Sequence, residues 1–101
     1  RGVGVARDEA RGVLLLERAC NEGNAFGCNN LAFAYSQGRG VPREPGRAAT
    51  LYQRACDAGS WPACGSLGLM YTRGFGVIRD DQQAFTLFER ACSGGCARQC
   101  V

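Results

Sequence analysis

The sequence predicts an all-α fold, an α/α superhelix in which antiparallel helix pairs recur every 36 residues. Three observations carry this. Cys20, Cys56 and Cys92 lie 36 apart, and so do Cys28, Cys64 and Cys100. Glycines keep the same register: Gly23, Gly59 and Gly95 follow the first cysteines by three, and Gly2-x-Gly4-Val5, Gly38-x-Gly40-Val41 and Gly74-x-Gly76-Val77 align without a gap. Between these markers, apolar residues recur at helical spacing. A fixed period of this length marks stacked supersecondary units rather than one closed domain.

The elements of a unit follow in order. Its first helix begins at Asn24 or Ser60, residue types that accept hydrogen bonds from the free amides of a first turn. The inward stripe is Cys28, Leu31, Ala32 and Tyr35, matched by Cys64, Leu67, Gly68 and Tyr71. Ala32 and Gly68 are small, which predicts a close helix crossing. A Gly-x-Gly-Val loop leads to the second helix. Pro45 suits its first position, where a missing amide costs nothing, and Asp80 caps the later copy with Gln83 completing a capping box. The second stripe is Ala48, Leu51, Tyr52 and Ala55, matched by Ala84, Leu87, Phe88 and Ala91, with an earlier copy in Leu15, Leu16 and Ala19 after Asp8. Gly23, Gly59 and Gly95 end the second helices in the left-handed conformation. The 101 residues then form a single solenoid piece: a partial repeat over 1–23, full repeats over 24–59 and 60–95, and a partial repeat over 96–101. The chain is expected to start inside a loop, at Arg1 to Val5.

Composition narrows the chemistry. All twelve positive residues are Arg, they face nine acids for a net charge of +3, and they are scattered. That lacks the basic footprint of a nucleic-acid binder. No apolar run approaches the ~18 residues needed to cross a bilayer, so membrane insertion is not expected. A signal-peptide pattern is absent or already removed. The chain has neither His nor Lys. The commonest neutral-pH base and zinc ligand is therefore missing, and Ser-His-Asp, Cys-His and Ser-x-x-Lys catalysis cannot be assembled within it. No cofactor and no metal are expected. The Gly-x-Gly loops lack a preceding strand and a third glycine, so they are helix-ending turns rather than phosphate cradles.

The pattern resembles the Sel1-like repeat family, relatives of tetratricopeptide repeats, and within it the cysteine-rich Helicobacter-type proteins. The residues that carry the resemblance are the A-C-x-x-G-x-x-x-x-C stretches, Leu31-Ala32-x-x-Tyr35, Leu67-Gly68-x-x-Tyr71, and the G-x-G-V loops followed by Asp8, Glu44 or Asp80. It covers almost the whole chain and departs at Cys96, which stands where Asn24 and Ser60 stand in the full repeats. Relatives of this type are described as binding penicillin-like compounds with weak β-lactamase activity, so the resemblance implies that activity as an alternative function.

In helix-pair geometry, the first cysteine of each pair sits in the last turn of one helix and the second one turn into the next. A tight glycine turn brings those two turns within disulfide reach. The predicted bridges are Cys20–Cys28, Cys56–Cys64 and Cys92–Cys100, leaving Cys96 unpaired. Paired recurrence is unlike scattered core thiols, a zinc site would need ligands converging from different turns without His, and the Cys-x-x-Cys of a redox site is missing. Bridges of this kind imply an oxidising, extracytoplasmic location, periplasmic or secreted.

The functional expectation is a non-enzymatic scaffold that binds a protein or peptide on its concave face, the usual surface of such arrays. Candidate residues lie off the core stripe of the first helices: Phe26, Asn29, Asn30, Phe33 and Ser36 in one, Pro62, Gly65, Ser66, Leu69 and Thr72 in the next. The Asn pair offers donors and acceptors to a peptide backbone. Phe33 and Leu69 offer an apolar wall or pack on a neighbouring helix. Trp61 is either an exposed anchor or the cover of a helix end. Self-association through open repeat ends is also expected.

Overall fold

A computed structural model of the chain describes residues 2–93, with side chains from residue 9 onward. The described residues form five α-helices and no strand: α1 (Gly2–Asn21), α2 (Ala25–Gln37), α3 (Pro45–Asp57), α4 (Trp61–Arg73) and α5 (Asp81–Ser93). Each packs on its neighbour in chain order. The pairs inside a repeat, α2 with α3 and α4 with α5, share more surface than the joints between repeats, α1 with α2 and α3 with α4.

Helix boundaries follow local chemistry. The Asn24 side chain accepts a hydrogen bond from the Gly27 amide at 2.9 Å and so caps α2. Ser60 occupies the equivalent place but makes no side-chain cap bond, contrary to the sequence expectation. Its backbone carbonyl takes the Ala63 and Cys64 amides instead, and Pro62 removes one of the amides that would need a cap. Asp80 caps α5 by accepting from the Gln82 and Gln83 amides, each at 3.1 Å. Pro45 opens α3. The helices α2 and α4 stop at Gly38 and Gly74 in the left-handed region.

The loops between paired helices are held from outside. A Cβ at Gly40 would stand 2.7 Å from the Glu9 carbonyl oxygen of α1, and one at Gly76 would overlap the Pro45 carbonyl of α3. Both glycines also have positive φ, +80° and +78°. The second glycine of each Gly-x-Gly-Val loop is thus where the loop docks on the second helix of the preceding repeat. This explains a correction at the start of the chain. Gly2 to Val5 continue α1 as helix rather than forming a loop. The described residues supply no earlier second helix on which that copy could dock.

The core is one cluster running through the repeats, with Leu31, Ala32, Tyr35, Ala48, Leu51, Tyr52, Ala55 and Leu67 all buried. Gly68 faces the Phe88 ring so closely that a Cβ would lie 2.8 Å from Cε1, the close crossing its size predicted. Leu15 departs from expectation: it is 66% exposed, whereas its equivalents Leu51 and Leu87 are buried. Those two lie on helices packed against the first helix of their own repeat, a partner α1 does not have among the described residues. Leu16 and Ala19 are half-buried for the same reason.

Candidate functional site

Two staples fix the joints. Cys20 and Cys28 are disulfide-bonded with Cα atoms 4.4 Å apart, and Cys56 and Cys64 with Cα atoms 4.7 Å apart. Each bridge ties the end of a second helix to the start of the next first helix, across Gly23 or Gly59, whose φ values are +89° and +103°. They reinforce the joints that share less surface. Cys92 is also a disulfide cysteine, while the pairing with Cys100 and the state of Cys96 lie outside the described residues. A second periodic tie escaped the sequence reading. Arg54 donates to the Cys20 carbonyl at 3.3 Å and Arg90 to the Cys56 carbonyl at 3.5 Å, each reaching one repeat back to the carbonyl end of a helix. The "RAC" triplet, repeated at Arg18, Arg54 and Arg90, was its visible signal.

The first helices α2 and α4 flank a recess of about 450 Å³ that α3 floors. Phe33 and Leu69, equivalent in the repeat, are 47% and 44% exposed. Ser36 and Leu69 line the recess, with Ser66 and Met70 beside them. Ser36 is nevertheless 8% exposed, and its hydroxyl donates to the Phe33 carbonyl at 2.8 Å. Thr72, one repeat on, likewise turns its hydroxyl onto the Leu69 carbonyl at 2.8 Å. Asn29 and Asn30 are half-buried, Phe26 and Pro62 are exposed at the first turns of α2 and α4, and Gly65 is buried. The structure therefore gathers Ser36 and Leu69 at one cavity, with Phe33 in register with Leu69, and leaves Phe26 and Pro62 at the helix starts. Trp61, 36% exposed, lines a shallow surface hollow together with Thr86, Glu89 and Arg90 of α5.

Sequence reasoning missed much of the recess. Tyr52, assigned to the core stripe, is buried yet reaches the floor, and Arg43, Arg73 and Phe75 complete the wall. Arg43 donates from Nε to the Ser36 carbonyl at 3.2 Å and lies 4.9 Å from the Phe75 ring centroid. Burial raises the Tyr52 pKa above 10.0, and hydrogen bonding with the Ser36 and Ser66 hydroxyls offsets part of that rise. A usable signal was the register pair Gln37 and Arg73, which extends the polar face one residue past Ser36 and Thr72. Among the described residues no cluster of Cys, Asp or Glu could hold a metal ion, and no helix is long and apolar enough to cross a membrane.

Two antiparallel helix pairs and the preceding α1, stapled at their joints, define a disulfide-bonded helical repeat scaffold. The Sel1 repeat family matches residues 1–24, 25–60 and 61–96, and the chain belongs to that family. Sel1 repeats are protein-interaction modules. Among solved structures the chain is similar to Helicobacter pylori cysteine rich protein B, with 32% identity and a TM-score of 0.85 over 87% of this chain and 66% of that one. It is also similar to a protective antigen of uropathogenic Escherichia coli strains displaying an SLR fold, with 30% identity and a TM-score of 0.82 over 86% of this chain and 19% of that one. A Sel1 repeat protein from Oxalobacter formigenes shares the fold, with 23% identity and a TM-score of 0.83 over 86% and 36% of the two chains. The chain thus spans just under two thirds of the first of these and less of the others. No curated protein matches it.

Proposed function

We propose that this chain is a non-enzymatic, extracytoplasmic scaffold that binds a peptide or protein partner along the α2–α4 face. The observation that supports this best is the pair of exposed, repeat-equivalent apolar side chains on the first helices, Phe33 and Leu69, the second of which lines the recess between those helices. Large apolar groups that remain exposed beside a cavity are what a binding face needs. The disulfides at Cys20–Cys28 and Cys56–Cys64 support an oxidising compartment. Against the hydrolytic alternative stands the chemistry of the recess. Its hydroxyls, Ser36, Ser66 and Tyr52, have no carboxylate in the lining to take a proton, and the chain has no His or Lys.

The test is selection of displayed peptides on the oxidised protein, followed by binding of the selected sequences to a Phe33→Ala/Leu69→Ala variant. The expected result is at least a tenfold loss of affinity with an unchanged melting curve. Undiminished binding would place the partner elsewhere. Nitrocefin turnover by the pure protein would instead favour the hydrolytic alternative.

A further inference from the structure

Repeat-equivalent positions separate the side chains the fold requires from those it does not. Ala25, Thr50, Gln53, Arg54 and Asp57 of the first full repeat correspond to Trp61, Thr86, Glu89, Arg90 and Ser93 of the second. In the first set the polar groups satisfy one another: Gln53 donates to Asp57 at 3.0 Å, and Arg54 reaches the Cys20 carbonyl. The second set keeps the Thr and the Arg but puts Trp, Glu and Ser at the other three positions. These five residues line a hollow of about 450 Å³ between the start of α4 and the end of α5, and none of them lines the recess on the first-helix face. The fold does not need the indole, since Ala25 serves at the start of α2. Glu89, Ser93 and the Trp61 Nε1–H have no hydrogen-bond or ion-pair partner among the described residues. Thr86 donates to the Gln82 carbonyl at 3.2 Å, which leaves its oxygen able to accept. Arg90 is held by Asp57 and the Cys56 carbonyl.

We propose that this hollow binds a neutral saccharide, through a pyranose ring whose ring substituents are all equatorial. The face of an indole is electron-rich and attracts the slightly positive C–H bonds that such a ring presents axially from its flat side. The ring hydroxyls then meet partners of both kinds. The Glu89 carboxylate accepts charge-assisted hydrogen bonds, Thr86 accepts, Ser93 does either, and the Trp61 Nε1–H donates. Within the lining, Glu89 and Arg90 balance in charge. That favours an uncharged ligand over a quaternary ammonium ion, the other class an indole face attracts. A purely apolar ligand would cover Glu89 and Ser93 without satisfying them. The site is separate from the α2–α4 face and does not depend on the groove reading.

Trp61 is the only tryptophan in the chain, so its fluorescence reports on this hollow directly. The test is a titration of the oxidised protein with cellotriose and chitotriose, whose rings are all-equatorial, and with choline. At least one of the two sugars is expected to give a saturable change in emission, with choline binding at least tenfold more weakly. Calorimetry with the same sugar should show at least a tenfold loss of affinity in Trp61→Ala, at least a fivefold loss in Glu89→Gln, and no loss in Phe33→Ala/Leu69→Ala. The wild-type titration stands even if Trp61→Ala fails to fold, and Glu89 is exposed, so its variant should keep the wild-type melting curve. No saturable change with either sugar, choline binding as tight as the sugar, or undiminished binding by folded Glu89→Gln overturns the proposal. Loss of sugar binding in Phe33→Ala/Leu69→Ala overturns it too, by moving the sugar to the first-helix face.

Discussion

Removing the Cys56–Cys64 bridge tests the idea that these joints are held covalently. The two cysteines are 8 apart in sequence, and both side chains are 0% exposed at the α3–α4 joint. Closing so short a loop removes chain entropy from the unfolded state worth about 2.5 kcal/mol at room temperature. For a domain of this size that corresponds to a fall of about 10–20 °C in melting temperature. The assay is urea unfolding followed by helical circular dichroism, comparing oxidised wild type, reduced wild type and Cys56→Ala/Cys64→Ala. Reduction keeps the sulfurs but opens both described loops and the Cys92 bridge as well, so it should cost at least about 5 kcal/mol, twice the single-loop figure. The double variant removes one loop together with some buried packing. Because repeats touch only their neighbours, amide exchange should quicken in the first turn of α4 and stay slow in α2. A loss below about 1 kcal/mol in the double variant, or equal exchange at both joints, would refute the staple argument.

Three further outcomes are expected. Gly76→Ala should destabilise by about 2 kcal/mol or more, because φ is +78° and the new methyl meets the Pro45 carbonyl. By contrast, Gly12→Ala in helix α1, where a Cβ meets nothing within 4 Å, should stabilise by about 0.5–1 kcal/mol; urea midpoints read both. Arg54→Gln should lose about 1 kcal/mol with the bond to the Cys20 carbonyl, whereas Asp57→Asn should change stability by less than about 0.5 kcal/mol, since the Arg90–Asp57 pair is solvent-exposed. Tyr52 should titrate above its ordinary 10.0 in ultraviolet absorbance, identified by the missing step in Tyr52→Phe. Burial favours its neutral form, so its contribution is complete below pH 10.0 and is lost as pH rises through the higher folded value.

What the chain determined alone was everything local. The two described bridges join residues 8 apart, and Asn24, Asp80, Pro45 and the positive-φ glycines act within a turn or two of themselves. Period, the limits of α2 to α5 and the partners in the two described bridges therefore lie on the sequence surface, readable by counting, whereas the start of α1 does not. Burial and site formation are different, since they depend on which helix stands opposite. Leu15 repeats Leu51 and Leu87 in sequence yet is exposed, because no first helix covers that face of α1 among the described residues. Ser60 repeats Asn24 yet needs no side-chain cap beside Pro62. The recess draws Ser36 from α2, Arg43 from a loop, Tyr52 from α3 and Arg73 from α4. No spacing announces that set. Stacking of one repeat on the next brings it together, and a residue's charge then matters through neighbours tens of positions away.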